Sequence, residues 1–166
     1  MFREIAPKKL QDNVFSLFDD RWTLITAGTQ DRCNTMTASW GGLGVLWHKS
    51  VATIYVRPQR YTFEFLEEQD HFTLSFFGDA WRKALAYCGR VSGRDEDKFA
   101  HCGFHVAMAG ENAPYIQEAD LVLVCRKLYW NDLDPAHMDP AGLEHYENHD
   151  YHRMYIGEIT QVLVKE

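Results

Sequence analysis

The sequence predicts a mainly β fold with short helices, an antiparallel barrel and not a doubly wound sheet. Segments rich in strand formers recur along the chain, among them 22–29, 71–77, 119–129 and 152–165. The stretch from Ser50 to Arg57 alternates, with Val51, Thr53 and Tyr55 on one side and Ala52, Ile54 and Val56 on the other. Only short helical stretches separate the strands, whereas parallel strands need long crossovers.

The elements follow in order. Residues 1–21 are a lead-in, with Pro7 to Phe18 expected as a short helix presenting Val14, Phe15 and Phe18 on one face. Trp22 to Thr29 reads as the first barrel strand, Gln30 to Asn34 as a polar turn, and Thr35 to Trp40 as strand-like. Gly41-Gly42-Leu43-Gly44 reads as a bend or a close approach to a bound molecule. Pro58 ends the alternating strand, having no amide for a ladder. Thr62 to Gln69 is expected as a helix capped by Thr62, with Phe63 and Leu66 inward. His71 to Phe77 is a strand. Asp79 to Cys88 is a helix with Gly89 as its stop, and Ser92 to His101 a second helical stretch closed by Gly103. Phe104 to Met108 reads as a short strand and Gly110 to Pro114 as a turn. Ala119 to Tyr129 is the central strand, Asn131 to Asp150 a long excursion loop, and His152 to Lys165 the final strand. No repeat or boundary divides the chain, so one domain over 1–166 is expected.

Composition narrows the function. A hydrophobic content of 46% with 14% aromatics argues against disorder. A net charge of -7 argues against a nucleic-acid groove, which needs a basic face. No apolar run has the length that spans a membrane, and the N-terminal residues show no apolar leader. The cysteines, Cys33, Cys88, Cys102 and Cys125, form no CxxC pair. A cytoplasmic protein with reduced thiols is expected.

The chemistry concentrates in one run, Asn34 to Thr62. A hydroxyl- and glycine-rich loop, Met36-Thr37-Ala38-Ser39-Trp40, precedes the alternating strand. After it comes the turn Arg57-Pro58-Gln59-Arg60-Tyr61-Thr62 at the start of a helix. Free amides of a helix start, with Arg57 and Arg60 beside them, suit a phosphate. Backbone amides, the Thr37 and Ser39 hydroxyls and Trp40 suit a flat aromatic ring. The plainer reading is a solvated turn, with Met36 and Trp40 as core.

This run resembles the flavin reductase-like, FMN-binding split-barrel family, which includes flavoredoxin. The matching residues are Met36 to Trp40, then Arg57, Arg60 and Thr62, then Ser92-Gly93-Arg94-Asp95-Glu96-Asp97-Lys98, and finally His152-Arg153-Met154-Tyr155-Ile156-Gly157-Glu158. The resemblance implies a Greek-key split barrel that binds FMN noncovalently and associates as a homodimer. It assigns cofactor contacts to Met36, Thr37, Ala38, Ser39, Trp40, Arg57, Arg60, Tyr61, Thr62, Ser92, Gly93 and Lys98. It sets His152 on the flavin side where reductant or substrate enters, against the plainer reading of a solvated strand-start histidine. NAD(P)H is a possible transient reductant, although the chain has no GxGxxG motif. Three roles stay open: an NAD(P)H-dependent flavin or ferric reductase, a flavoredoxin-like carrier served by a redox partner protein, and a passive FMN- or haem-binding module. Trp47, Trp81 and Trp130 read as exposed aromatics suited to an interface. His145, His149 and His152 form H-x3-H-x2-H, but the stretch is Pro- and Asp-rich with no cysteine, so no metal site is assigned.

Overall fold

A computed structural model describes residues 1–166. Its strands are β1 (Phe2–Ile5), β2 (Thr23–Gly28), β3 (Cys33–Ala38), β4 (Gly41–Leu46), β5 (Lys49–Val56), β6 (His71–Phe76), β7 (Val106–Met108), β8 (Pro114–Ile116), β9 (Leu121–Asp132) and β10 (Arg153–Lys165). Its α-helices are α1 (Val14–Ser16), α2 (Tyr61–Glu68), α3 (Arg82–Arg90), α4 (Lys98–Cys102) and α5 (Pro140–Leu143). Eight strands form one sheet in the order β3-β2-β6-β9-β10-β5-β4, with β1 added to the second half of β10. Every pairing is antiparallel. β7 and β8 form a separate hairpin.

Chain connectivity forces this sheet to curl. β3 and β4 are its two edges, yet only Ser39 and Trp40 join them. Two residues reach at most about 11 Å, while seven flat strands would set their edges about 29 Å apart. The sheet therefore rolls into a barrel, split where β3 and β4 face each other without a ladder. The stretch expected as a Met36–Trp40 loop lies at that split, but Met36 to Ala38 are the end of β3 and only Ser39 and Trp40 are a connection.

Two apolar cores flank the sheet. Inside the barrel are Ile25, Ile54, Phe65, Phe72, Leu123 and Tyr155; outside, under α3, are Leu24, Leu85, Phe104, Ile116, Val122 and Val124. β9 supplies both, with Leu121, Leu123 and Cys125 inward and Val122 and Val124 outward. Burial on both faces explains its unbroken apolar run.

The structure corrects several expectations. β1 was hidden in the lead-in, because a four-residue edge strand carries little periodicity of its own. Phe15 is 85% exposed, and Leu17 and Phe18 are the buried anchors of that stretch. The glycine run 41–44 is the strand β4, in register with β5 from Gly41↔Ile54 to Leu46↔Lys49. The hairpin turn uses Trp47 and His48, both at positive φ, without a glycine to announce it. Gly89 does not stop α3 but lies within it, its Cα facing the Thr37 side chain across a close helix–strand approach. Trp81 is half-buried beside Phe77 and Phe104, whereas Trp47 and Trp130 are exposed. No helix is long and apolar enough to cross a membrane.

Candidate functional site

The split in the barrel opens a cleft of about 200 Å³ lined by residues 36–40 with Tyr55, Arg57, Arg60 and His152. A smaller hollow of about 90 Å³ adjoins it, sharing Met36 and Arg60 and continuing to the start of α2, Ser92, Gly93 and Lys98. Thus the four sequence motifs, far apart along the chain, meet around one elongated depression.

At the smaller, polar end the geometry favours an anion. Arg60 is the N-cap residue of α2, and no side chain caps this helix. The expected cap, Thr62, is instead fully buried, its hydroxyl accepting a bond from Asn34 Nδ2 at 2.8 Å. The amides of Tyr61 and Thr62 therefore keep their unpaired polarity, while Phe63 N–H donates to the Arg60 carbonyl at 3.0 Å. Arg60 Nη1 donates to the Gly89 carbonyl at 3.0 Å, and its buried Nη2 has no partner. Burial lowers the Arg60 pKa but leaves a guanidinium charged at neutral pH.

Lys98, 3% exposed, stands beside it. Its ammonium donates to the carbonyls of Thr35 and Cys88 at 2.8 and 2.9 Å, pinning α4 to β3 and α3. Burial, then the neighbouring Arg60 charge, lowers its pKa to about 8. The Arg60 charge adds to the lowering at Lys98, so two cations lie side by side in this hollow. Gly93 is required by packing: a Cβ there would fall 2.0 Å from Asn34 Oδ1.

Arg57 does something else. Its guanidinium pairs with Asp150 at 2.8 Å, donates to the His145 carbonyl at 3.0 Å and lies 4.9 Å from the centroid of the Tyr146 ring. It ties the excursion loop to the end of β5 and has its charge partnered by Asp150, whereas Arg60 at the same turn keeps a free N–H. Thr37 is likewise occupied, donating its hydroxyl to Leu85 O at 2.5 Å. Met36, 6% exposed, is core by its side chain and cleft wall by position.

His152 is buried, not solvated. Its Nδ1 lies 2.7 Å from the Tyr146 hydroxyl, and its ring centroid 5.2 Å from that of Trp40. Burial, then Arg57, lowers its pKa to about 4, leaving a neutral imidazole at pH 7. The Trp40 ring also meets His145 edge-on at 5.3 Å. Sequence reasoning assigned no role to Tyr146, Asn34 or Tyr55: Asn34 meets Thr62 28 residues away, Tyr146 meets His152 across the loop, and Tyr55 lines the cleft only once β5 is placed. No group of three or more His, Cys, Asp or Glu side chains is placed to hold a metal ion, and His149 pairs instead with the Tyr151 hydroxyl at 3.0 Å.

A split barrel with a cleft at the β3–β4 junction defines the structural class, and comparison with known proteins gives the family. The family model described as "Flavin reductase like domain" matches residues 15–166. The chain belongs to the flavin reductase-like family. Flavoredoxin from Methanosarcina acetivorans superposes with a TM-score of 0.70 at 26% identity, covering 98% of this chain and 77% of that one. An FMN-binding domain of a flavin reductases-like enzyme from Shewanella baltica gives 0.70 at 18%, covering 99% and 77%. An NADH:FAD oxidoreductase from Streptomyces globisporus gives 0.65 at 19%, covering 87% and 74%. No curated protein matches the chain.

Proposed function

We propose that the protein binds FMN noncovalently in this depression and works as an NAD(P)H-dependent flavin or ferric reductase. The unpartnered buried Arg60 Nη2, beside the Lys98 ammonium, carries the reading. A buried donor and two adjacent cations are costly unless a polyanion completes them, and a phosphate monoester does so. Arg60, Lys98, the first amides of α2 and the turn at Ser92 and Gly93 would hold that phosphate. Backbone groups of residues 36–40 would flank the ring, with Trp40 and His152 on its open side.

When bound, FMN supplies the hydride- and electron-accepting chemistry. The chain's own residues bind, orient and exclude water. The loop held by Arg57 and Asp150 sets His145 against Trp40 beside the ring end, and the neutral His152 offers a hydrogen-bonding nitrogen without adding charge. The similarity to flavoredoxin favours a second reading, an electron carrier served by a redox protein partner.

The test is an anaerobic absorbance spectrum of FMN-loaded protein before and after NADH or NADPH. Flavin bands that bleach with either nucleotide support the reductase. Bleaching by dithionite alone supports the carrier. A protein that takes up no FMN refutes both.

Two copies of the chain are also proposed to associate, through exposed aromatics that include Trp47 and Trp130, 62% and 50% accessible. The cytoplasmic assignment stays an expectation of the composition.

A further inference from the structure

We infer that Tyr146 is a positioning residue: it holds His152 with its Nε2–H as a fixed donor for a carbonyl oxygen on a flat molecule entering the ring end of the cleft. The inference deepens the proposed function and rests on it for the flavin beneath that molecule.

A buried hydrogen bond decides the tautomer. Tyr146 is 7% exposed, and its hydroxyl has one side-chain partner, His152 Nδ1 at 2.7 Å. A phenolic hydrogen left unpaired in such a place is costly, so the O–H donates to Nδ1. A neutral imidazole carries one ring hydrogen, and with Nδ1 accepting, that hydrogen resides on Nε2. Nε2 has no partner in the chain, and His152 lines the cleft. Burial and the facing Arg57 and His145 keep the ring neutral, against a smaller opposing effect of Asp150.

The surroundings fix the ring's place as well as its tautomer. Arg57 holds Asp150 and the His145 carbonyl, drawing both ends of the 145–150 segment to the end of β5. The same guanidinium lies over the Tyr146 ring. Trp40 flanks both His145 and His152 with centroids 5.3 and 5.2 Å away. An aromatic wall beside one oriented N–H suits a planar molecule with a carbonyl acceptor, such as a carboxamide, and gives no counter-charge to an anion.

The test uses the full chain, without and with FMN. Nitrogen-15 NMR of the histidine rings reports the tautomer, and nicotinamide serves as a flat carboxamide probe, with benzamide as the carboxamide lacking a ring nitrogen and toluene as the ring lacking any acceptor. We expect a His152 protonated on Nε2 with Nδ1 accepting a hydrogen bond, and a Nε2–H signal that nicotinamide and benzamide shift and toluene does not. In Tyr146→Phe, Nδ1 should lose its accepted bond and nicotinamide affinity should fall about three- to tenfold, the weight of one neutral hydrogen bond. A hydrogen on Nδ1 in the parent protein overturns the inference. So does a Tyr146→Phe protein in which either Nδ1 or nicotinamide affinity is unmoved, or a Nε2–H signal that ignores nicotinamide. The tautomer is read without flavin, so its failure is distinct from a failure to bind FMN, which the visible spectrum reports.

Discussion

Arg60 and Arg57 lie three residues apart at the same turn, yet their charges meet different fates. Arg57 is neutralised by Asp150, while Arg60 keeps a buried N–H without a partner. Replacing Arg60 with Met should weaken FMN binding about 10- to 100-fold, as expected for a charge-assisted bond. Replacing Arg57 with Met should change FMN affinity far less and instead expose the 133–152 loop to proteolysis. Fluorescence titration of FMN and limited digestion read the two effects separately. Lys98 adds a pH dependence. Its folded pKa is lowered to about 8, so its charge is present below that pH and lost as pH rises through it. Attraction for a phosphate is lost in the same window. FMN affinity, titrated between pH 6.5 and 9.5, should therefore hold below about 8 and decline above it. A flat profile would show that Lys98 takes no part in binding.

At the scale of elements, the long strand β10 and three short helices converge on the site. β10 runs beside β9, β5 and β1, and its register shifts next to Gly157. A Cβ on Gly157 would approach Phe72 at 2.8 Å and Cys125 at 2.9 Å, both fully buried. Gly157→Ala should destabilise the protein by about 1–3 kcal/mol through overpacking, measurable by urea unfolding. β10 begins immediately after His152, so the same substitution should also loosen the ring end of the cleft. The helices serve the site differently. α2 brings Arg60 and its free amides, α3 lies close against β3 at Gly89, and α4 inserts Lys98 between them. Each is short because its job is to deliver one end or one side chain.

At the scale of the whole molecule, the sheet curls because two residues join its opposite edges, and the same junction carries Trp40 into the cleft. The proposed association through the exposed Trp47 and Trp130 belongs to this scale. Light scattering should give twice the 19.3 kDa chain mass, and the double variant Trp47→Ser/Trp130→Ser should shift the population toward 19.3 kDa. A strictly monomeric parent protein would refute the association.

The sequence by itself determined the mainly antiparallel class, most strand positions and the family, because side-chain periodicity and short motifs are local properties. It brought out Arg60, Ser92, Gly93, Lys98 and His152 as one site through the order of their motifs. Only the tertiary structure decided which of those groups are free to act. Thr62 reads as a cap from its neighbours, but its hydroxyl is taken by Asn34, 28 residues away. Arg57 reads as a phosphate ligand, but Asp150 reaches it from the excursion loop. Tyr146 carries no signal until folding sets its hydroxyl against His152. Hydrogen bonds and ion pairs satisfy most buried polar groups with whatever the fold brings near, many of those partners are long-range, and Arg60 Nη2 stands out by having none.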